Sequence, residues 1–240
     1  MMHYLKELYG HKLTASDGDI GEVKDFCFDD RTWAIRYLVA DTGRWLTGRL
    51  LLLSPHSFGK LDHYENTLYV KLHKKQIESS PVLEPPQPVS RQYEIECCRY
   101  FGWPAYWESG SIGKVRSNPA NIPPQRNEGP VQPLLRRDDT PLQSTQGVTG
   151  YRIQTTDGEI GSVSGFKVDD RSWMIRELVV EAGHWYLGKE ILIPTTRISR
   201  INGEDSSVSV ALTKADIQRT AENHVVQAGT GNHGTEMFRA

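Results

Sequence analysis

Apolar and polar residues alternate along most of this chain in short runs, and turn residues punctuate them. The run "HKLTAS" leads to a turn at Asp17-Gly18, and "IGEVKDFCF" follows. Asp29-Asp30-Arg31 turns the chain again before "WAIRYLVA", and Gly43 precedes "RLLLL". A later run, "TLYVKL", alternates at Leu68, Val70 and Leu72, and "KKQIESS" reads as a short helix. Asp-Gly between apolar runs is a strong turn signal. Runs this short, rich in β-branched and aromatic residues, predict strands.

The same series recurs 140 residues later: "YRIQTT", Asp157-Gly158, "IGSVSGFKV", Asp169-Asp170-Arg171, "WMIRELVV", Gly183, "EILIP", "SVSVAL" and "KADIQRT". The copies align without a gap from about Gly10/Gly150 to Ile77/Ile217, and 18 of 38 positions match between Asp17 and Ser54. A period of this size marks a duplicated small domain, since solenoid repeats are shorter. Thr213 is placed to cap the second terminal helix with Asp216 three residues on.

Short strands must hide their edges in a barrel or sandwich. The third strand is apolar on both faces: Ile35, Tyr37 and Val39 on one, Leu38 on the other. That predicts a cover over the outside, and the other copy is the obvious candidate. The copies are expected to pack face to face, within one chain or across a homodimer.

The chain divides into a first unit at 1–80, an aromatic helical extension and Pro/Gly-rich linker at 81–148, a second unit at 149–220, and a tail at 221–240 expected to be disordered. Basic and acidic side chains balance in each unit, and the net charge is −2, so nucleic-acid binding is not expected. The start has no signal-peptide pattern, and no apolar run reaches membrane-spanning length. The cysteines, Cys27, Cys97 and Cys98, are odd in number and suggest no disulfide framework. A cytoplasmic location is the expectation.

Two stretches, "DGDIGEVKDFCFDDRTWAIRYLVADTGRWLTGRLLLLSP" and "DGEIGSVSGFKVDDRSWMIRELVVEAGHWYLGKEILIPT", resemble the PRC-barrel family, named from the photosynthetic reaction centre H subunit. "QPVSRQYEIECCRYFGWPAYW" is similar to an extension in two-barrel bacterial members. The resemblance implies a mainly β protein of two tandem, small, strongly bent antiparallel barrels, each ending in a short helix. It also implies a protein-contact role. The H subunit's membrane helix and the partner domain of a related ribosome maturation factor have no counterpart here.

Several residues invite a functional reading. Asp29-Asp30 and Asp169-Asp170 read as turn chemistry, because adjacent carboxylates on a turn point apart. Arg36 and Arg176 lie mid-strand and need acidic partners, with Asp17/Asp157 and Asp29/Asp169 as candidates. Trp33, Trp45, Trp173 and Trp185 read as core or interface residues. Tyr93, Cys97 and Tyr100 share one face of a helix that Ser90 starts, and Phe101, Trp103, Tyr106 and Trp107 follow. These aromatics either dock on their own barrel or form a partner surface.

The histidines, including His56, His63, His73, His184 and His224, look scattered, and no metal site is expected. No catalytic set, cofactor motif or phosphate loop stands out. The sequence therefore points to a non-enzymatic interaction or scaffold module with an unidentified protein partner. The alternative is a regulatory protein that binds a small ligand or anion.

Overall fold

A computed structural model describes residues 1–82, 89–107, 142–183 and 190–219. The first half contains β1 (Met2–Tyr4), β2 (Lys12–Ala15), β3 (Gly18–Asp29), β4 (Ala34–Asp41), β5 (Leu50–Leu53), β6 (Phe58–Asp62), β7 (Thr67–Val70) and helix α1 (Lys74–Glu78). Helix α2 (Arg91–Phe101) lies in the extension. The second half contains β8 (Gln143–Ser144), helix α3 (Thr145–Val148), β9 (Arg152–Thr155), β10 (Gly158–Asp169), β11 (Met174–Ala182), β12 (Glu190–Pro194), β13 (Ile198–Asn202) and β14 (Ser207–Val210). A last helix covers 214–219.

The pairings of one half recur in the other at positions 140 residues apart. Leu13 faces Gly21 and Ile153 faces Gly161; Leu38 faces Leu53 and Leu178 faces Ile193. β2 runs parallel to β7, as β9 does to β14. The β6 and β13 strands, which the sequence pattern did not separate, pair antiparallel with β7 and β14.

Two closed barrels do not form. All the strands belong to one 14-stranded sheet, which is not closed and ends in β6 and β13. The halves join at a seam, where β4 and β11 pair at Ala34 and Met174. Strand β1 of the first half pairs with β10 of the second, and β8 of the second pairs with β3 of the first. Each half thus gives its leading strand to the other. Residues 143–148, on the linker side of the expected boundary, form β8 and α3.

Bulges set which faces are buried, because one extra residue on a strand reverses its alternation. The β3–β4 ladder slips between Val23 and Asp25 and again between Cys27 and Phe28. Ile35, Leu38 and Ala40 consequently all join the main core, while Tyr37 and Val39 turn to a second cluster with Leu52. The cover over that second face is the extension and not the other copy: Val89 and Leu142 complete the cluster, and Tyr93, Trp103 and Tyr106 pack on it.

Gly21 and Gly161 sit where β3 and β10 slip against β2 and β9, before these bulges. Each has a positive φ, 132° and 148°, and a Cβ there would lie 2.0 Å and 2.1 Å from the carbonyl oxygens of Asp41 and Glu181. Only glycine fits such a close backbone approach.

Candidate contact site at the seam

Asp29 ends β3 and holds the following turn. Its carboxylate accepts from the amides of Arg31 (3.0 Å) and Thr32 (3.3 Å) and from Arg36 Nη2 (2.9 Å). Burial alone would raise this carboxyl. The Arg36 bond and the turn amides outweigh burial and hold it below the usual carboxylate range. Arg176 pairs with Asp169 more loosely, at 3.8 Å, and its side chain is 52% exposed against 20% for Arg36. The other acidic candidates do a different job: Asp17 accepts from the backbone amide of Lys74 (2.8 Å), and Asp157 from that of Lys214 (3.0 Å). Both cap the first turn of the closing helix. Thr213 and Asp216 bond as expected, hydroxyl to carboxylate at 2.6 Å.

Trp33 and Trp173 are buried at the seam with left-handed backbones, φ 60° and 52°. Trp173, from the second half, packs its ring on Phe58 (4.7 Å) and Phe26 (6.1 Å) of the first. Trp33 stacks on Phe28 at 5.5 Å. Trp45 is half-buried under the Lys74 ammonium, 4.5 Å from its ring. Trp185 lies outside the described residues, as do His184, His224, the linker at 108–141 and the tail.

The extension docks on β4 through a buried polar network. Glu94 is 2% exposed. It accepts from Arg91 Nη1 (2.7 Å) and from the Tyr106 hydroxyl (2.8 Å), and Arg91 also donates to that hydroxyl (2.9 Å). Burial raises the Glu94 carboxyl, and the Tyr106 and Arg91 contacts oppose the rise. The Arg36 guanidinium lies 4.0 Å from the Tyr106 ring centre, and Arg91 covers Trp107 at 4.3 Å. Phe101 and Trp103 stack at 4.3 Å. Tyr93 donates to the carbonyl of Pro81, and Tyr100 to that of Gln76. Of the six aromatics singled out in the sequence, Tyr100 is the exposed one, at 43%.

A cleft of about 730 Å³ opens where the halves meet. The Asp30–Trp33 turn and Gln143 line it together with Arg176 and the segment Ile198–Ile201. Arg31, Arg176 and Arg200 are exposed there. Asp30 is the carboxylate in its lining, and burial, then the charge of Asp29, push that carboxyl up. Neither Arg31 nor Arg200 stood out in the sequence, since isolated arginines on turns and edge strands carry no pattern.

The histidines are not all scattered. His3 and His63 stack, with ring centres 4.4 Å apart, and Asp170 joins them. The sequence signal was absent because 60 residues separate the two histidines and the aspartate belongs to the other half. The three cysteines are buried and form no disulfide. Among the described residues, no helix is long and apolar enough to cross a membrane.

Residues 1–78, the first of the two recurring arrangements, match the PRC-barrel domain. No curated protein matches the chain.

Proposed function

We propose that this chain is a non-enzymatic protein-contact module made of two tandem PRC-barrel-like units, with the seam cleft as its docking position. The observation that carries this reading is the composition of the cleft. Both halves build it, and it presents the exposed guanidiniums of Arg31, Arg176 and Arg200 beside the apolar flanks of Met174 and Ile198. Such a surface suits a partner segment bearing carboxylates, because exposed opposite charges steer encounter while apolar flanks hold the bound state. Sharing of leading strands supports a rigid platform and intramolecular pairing of the units. Buried cysteines that form no disulfide are in keeping with a reducing cytoplasm.

The test is affinity capture from host lysate with the wild type and with Arg176→Glu/Arg200→Glu. A protein held by the first and released by the second supports the module and its docking position. An identical set of captured proteins overturns the position. The same arginines favour a second reading, a regulatory site for a small anion. A thermal-shift series with phosphate and citrate separates the two, since a bound small anion raises the Tm of the wild type alone.

A further inference from the structure

His3 lies on β1, the strand the first half gives away. His63 lies in the exposed turn between β6 and β7 of the first half. Asp170 follows β10 in the second half. The fold brings one ligand atom from each within 4.8 Å of the others. His3 Nε2 and Asp170 Oδ2 are 3.0 Å apart. Two ligands held about 2.0–2.1 Å from a tetrahedral ion lie about 3.3 Å from each other, so this pair already has nearly the required spacing. The His3 side chain is 11% exposed and that of Asp170 25%, so both are held in place. His63 is exposed, and its ring stacks on that of His3. The second oxygen, Asp170 Oδ1, accepts from the Met1 amino group at 2.5 Å.

The duplication supplies an internal comparison. The positions equivalent to His3, Asp170 and His63 are Gln143, Asp30 and Gly203. Gln143 occupies the same register on its partner strand, opposite Phe28 as His3 is opposite Val168. Its side chain bonds Asp30 as His3 bonds Asp170. A structural bridge between leading strand and turn therefore needs only a glutamine. The first half instead has an imidazole, and a second imidazole stacked on it where the other copy has no side chain.

We propose that His3, His63 and Asp170 form a binding site for a divalent transition metal of the zinc class, pinning the β6–β7 turn of one half to the β10 turn of the other. Two imidazoles and a carboxylate form a donor set that suits zinc, with one position left for water or an outside ligand. Both groups coordinate in their deprotonated forms, so binding is coupled to proton release. The site lies apart from the arginine-lined cleft and does not depend on the contact reading.

The experiment is calorimetric titration of zinc chloride into the untagged, chelator-stripped full chain, with His3→Gln, His63→Ala and Asp170→Asn beside it. The expected result is one zinc per chain. His3→Gln and His63→Ala each weaken it at least about 10–100-fold, the loss known when even a ligand's supporting partner is removed. Zinc also raises the Tm of the wild type and leaves that of the variants unmoved. His3→Gln copies the bridge of the other half and keeps the fold, and His63 is an exposed turn residue whose loss does not disturb the core. Absence of stoichiometric binding by the wild type overturns the proposal. So does zinc binding that His63→Ala and His3→Gln leave unchanged.

Discussion

Trp33 and Trp173 each accept a backbone hydrogen bond from the strand that follows the other: the carbonyl of Trp33 accepts from Ile175 at 2.8 Å, and that of Trp173 accepts from Ile35 at 2.9 Å. Each tryptophan ends a turn in the left-handed region, an arrangement that costs energy for a bulky residue and persists only when its surroundings hold it. The holding is mutual. Truncating Trp173 to Ala removes the ring that fills the space between Phe26 and Phe58 and should cost about 3–5 kcal/mol. Because the halves share strands and core, urea unfolding followed by tryptophan fluorescence and by far-ultraviolet circular dichroism should give coincident transitions in wild type and variant. Two separated transitions would mean that the halves fold independently.

The close approaches at Gly21 and Gly161 predict a second effect. Alanine at either position forces its Cβ into a carbonyl oxygen at about 2 Å, and the strands must part to relieve it. A loss of about 3 kcal/mol or more, or failure to fold, is expected. Gly10→Ala is the control: its φ is 74°, but nothing lies within 4 Å of the added methyl. It should cost only about 1 kcal/mol. Denaturant midpoints of the three variants measure the difference.

Arg36 and Arg176 occupy equivalent positions and should behave differently. Arg36→Ala removes the 2.9 Å pair with Asp29 and the cation over Tyr106, both half-buried, and should cost about 1–3 kcal/mol. Arg176→Ala removes an exposed, long pair and should stay within about 0.5 kcal/mol. The Asp29 carboxyl is depressed in the folded state. Its stabilisation is therefore present above the unfolded carboxylate pKa and is lost as pH falls through the folded value. Stability measured from neutral to acid pH should fall less steeply in Arg36→Ala than in the wild type.

Glu94 predicts the opposite slope. Burial raises its carboxyl, with the Tyr106 bond and Arg91 opposing. A raised acid contributes stability below its unfolded pKa and loses it as pH rises through the folded value. Glu94→Gln should flatten this part of the profile. Arg91→Ala leaves a buried carboxylate with less compensation and should cost about 3–5 kcal/mol near neutrality, relieved on acidification. Denaturant titrations across that pH range read both effects.

The cysteines give a chemical test of packing. Burial raises the Cys27 thiol and pushes that of Cys97 up to about 11. A thiol reagent near neutral pH should react slowly with the native protein and modify all three cysteines once denaturant is added. Rapid modification of Cys97 or Cys98 in the native state would show that the extension does not stay docked on β4.

Much of the local structure was readable because it depends on short-range chemistry. Asp17-Gly18 and Asp157-Gly158 mark turns, Ser90 accepts from the amide of Tyr93 to start α2, and Thr213 caps the last helix with Asp216. The recurrence of one strand pattern follows from identity at fixed spacing. The edge strands β6 and β13 were not readable, since "FGKLD" and "ISRIN" alternate weakly and bulges break their register. Nor was the difference between Arg36 and Arg176. It depends on Tyr106, 70 residues further along, which the first copy's extension brings over one arginine.

The sequence by itself determined a mainly β chain, its turns and caps, and the repetition of one strand pattern, because spacing and residue type act over a few bonds. Tertiary structure decided that the halves exchange leading strands, that the extension covers Tyr37 and Val39, and that His3, His63 and Asp170 meet. Those outcomes follow from which surfaces bury each other across more than a hundred residues. No local pattern encodes that choice.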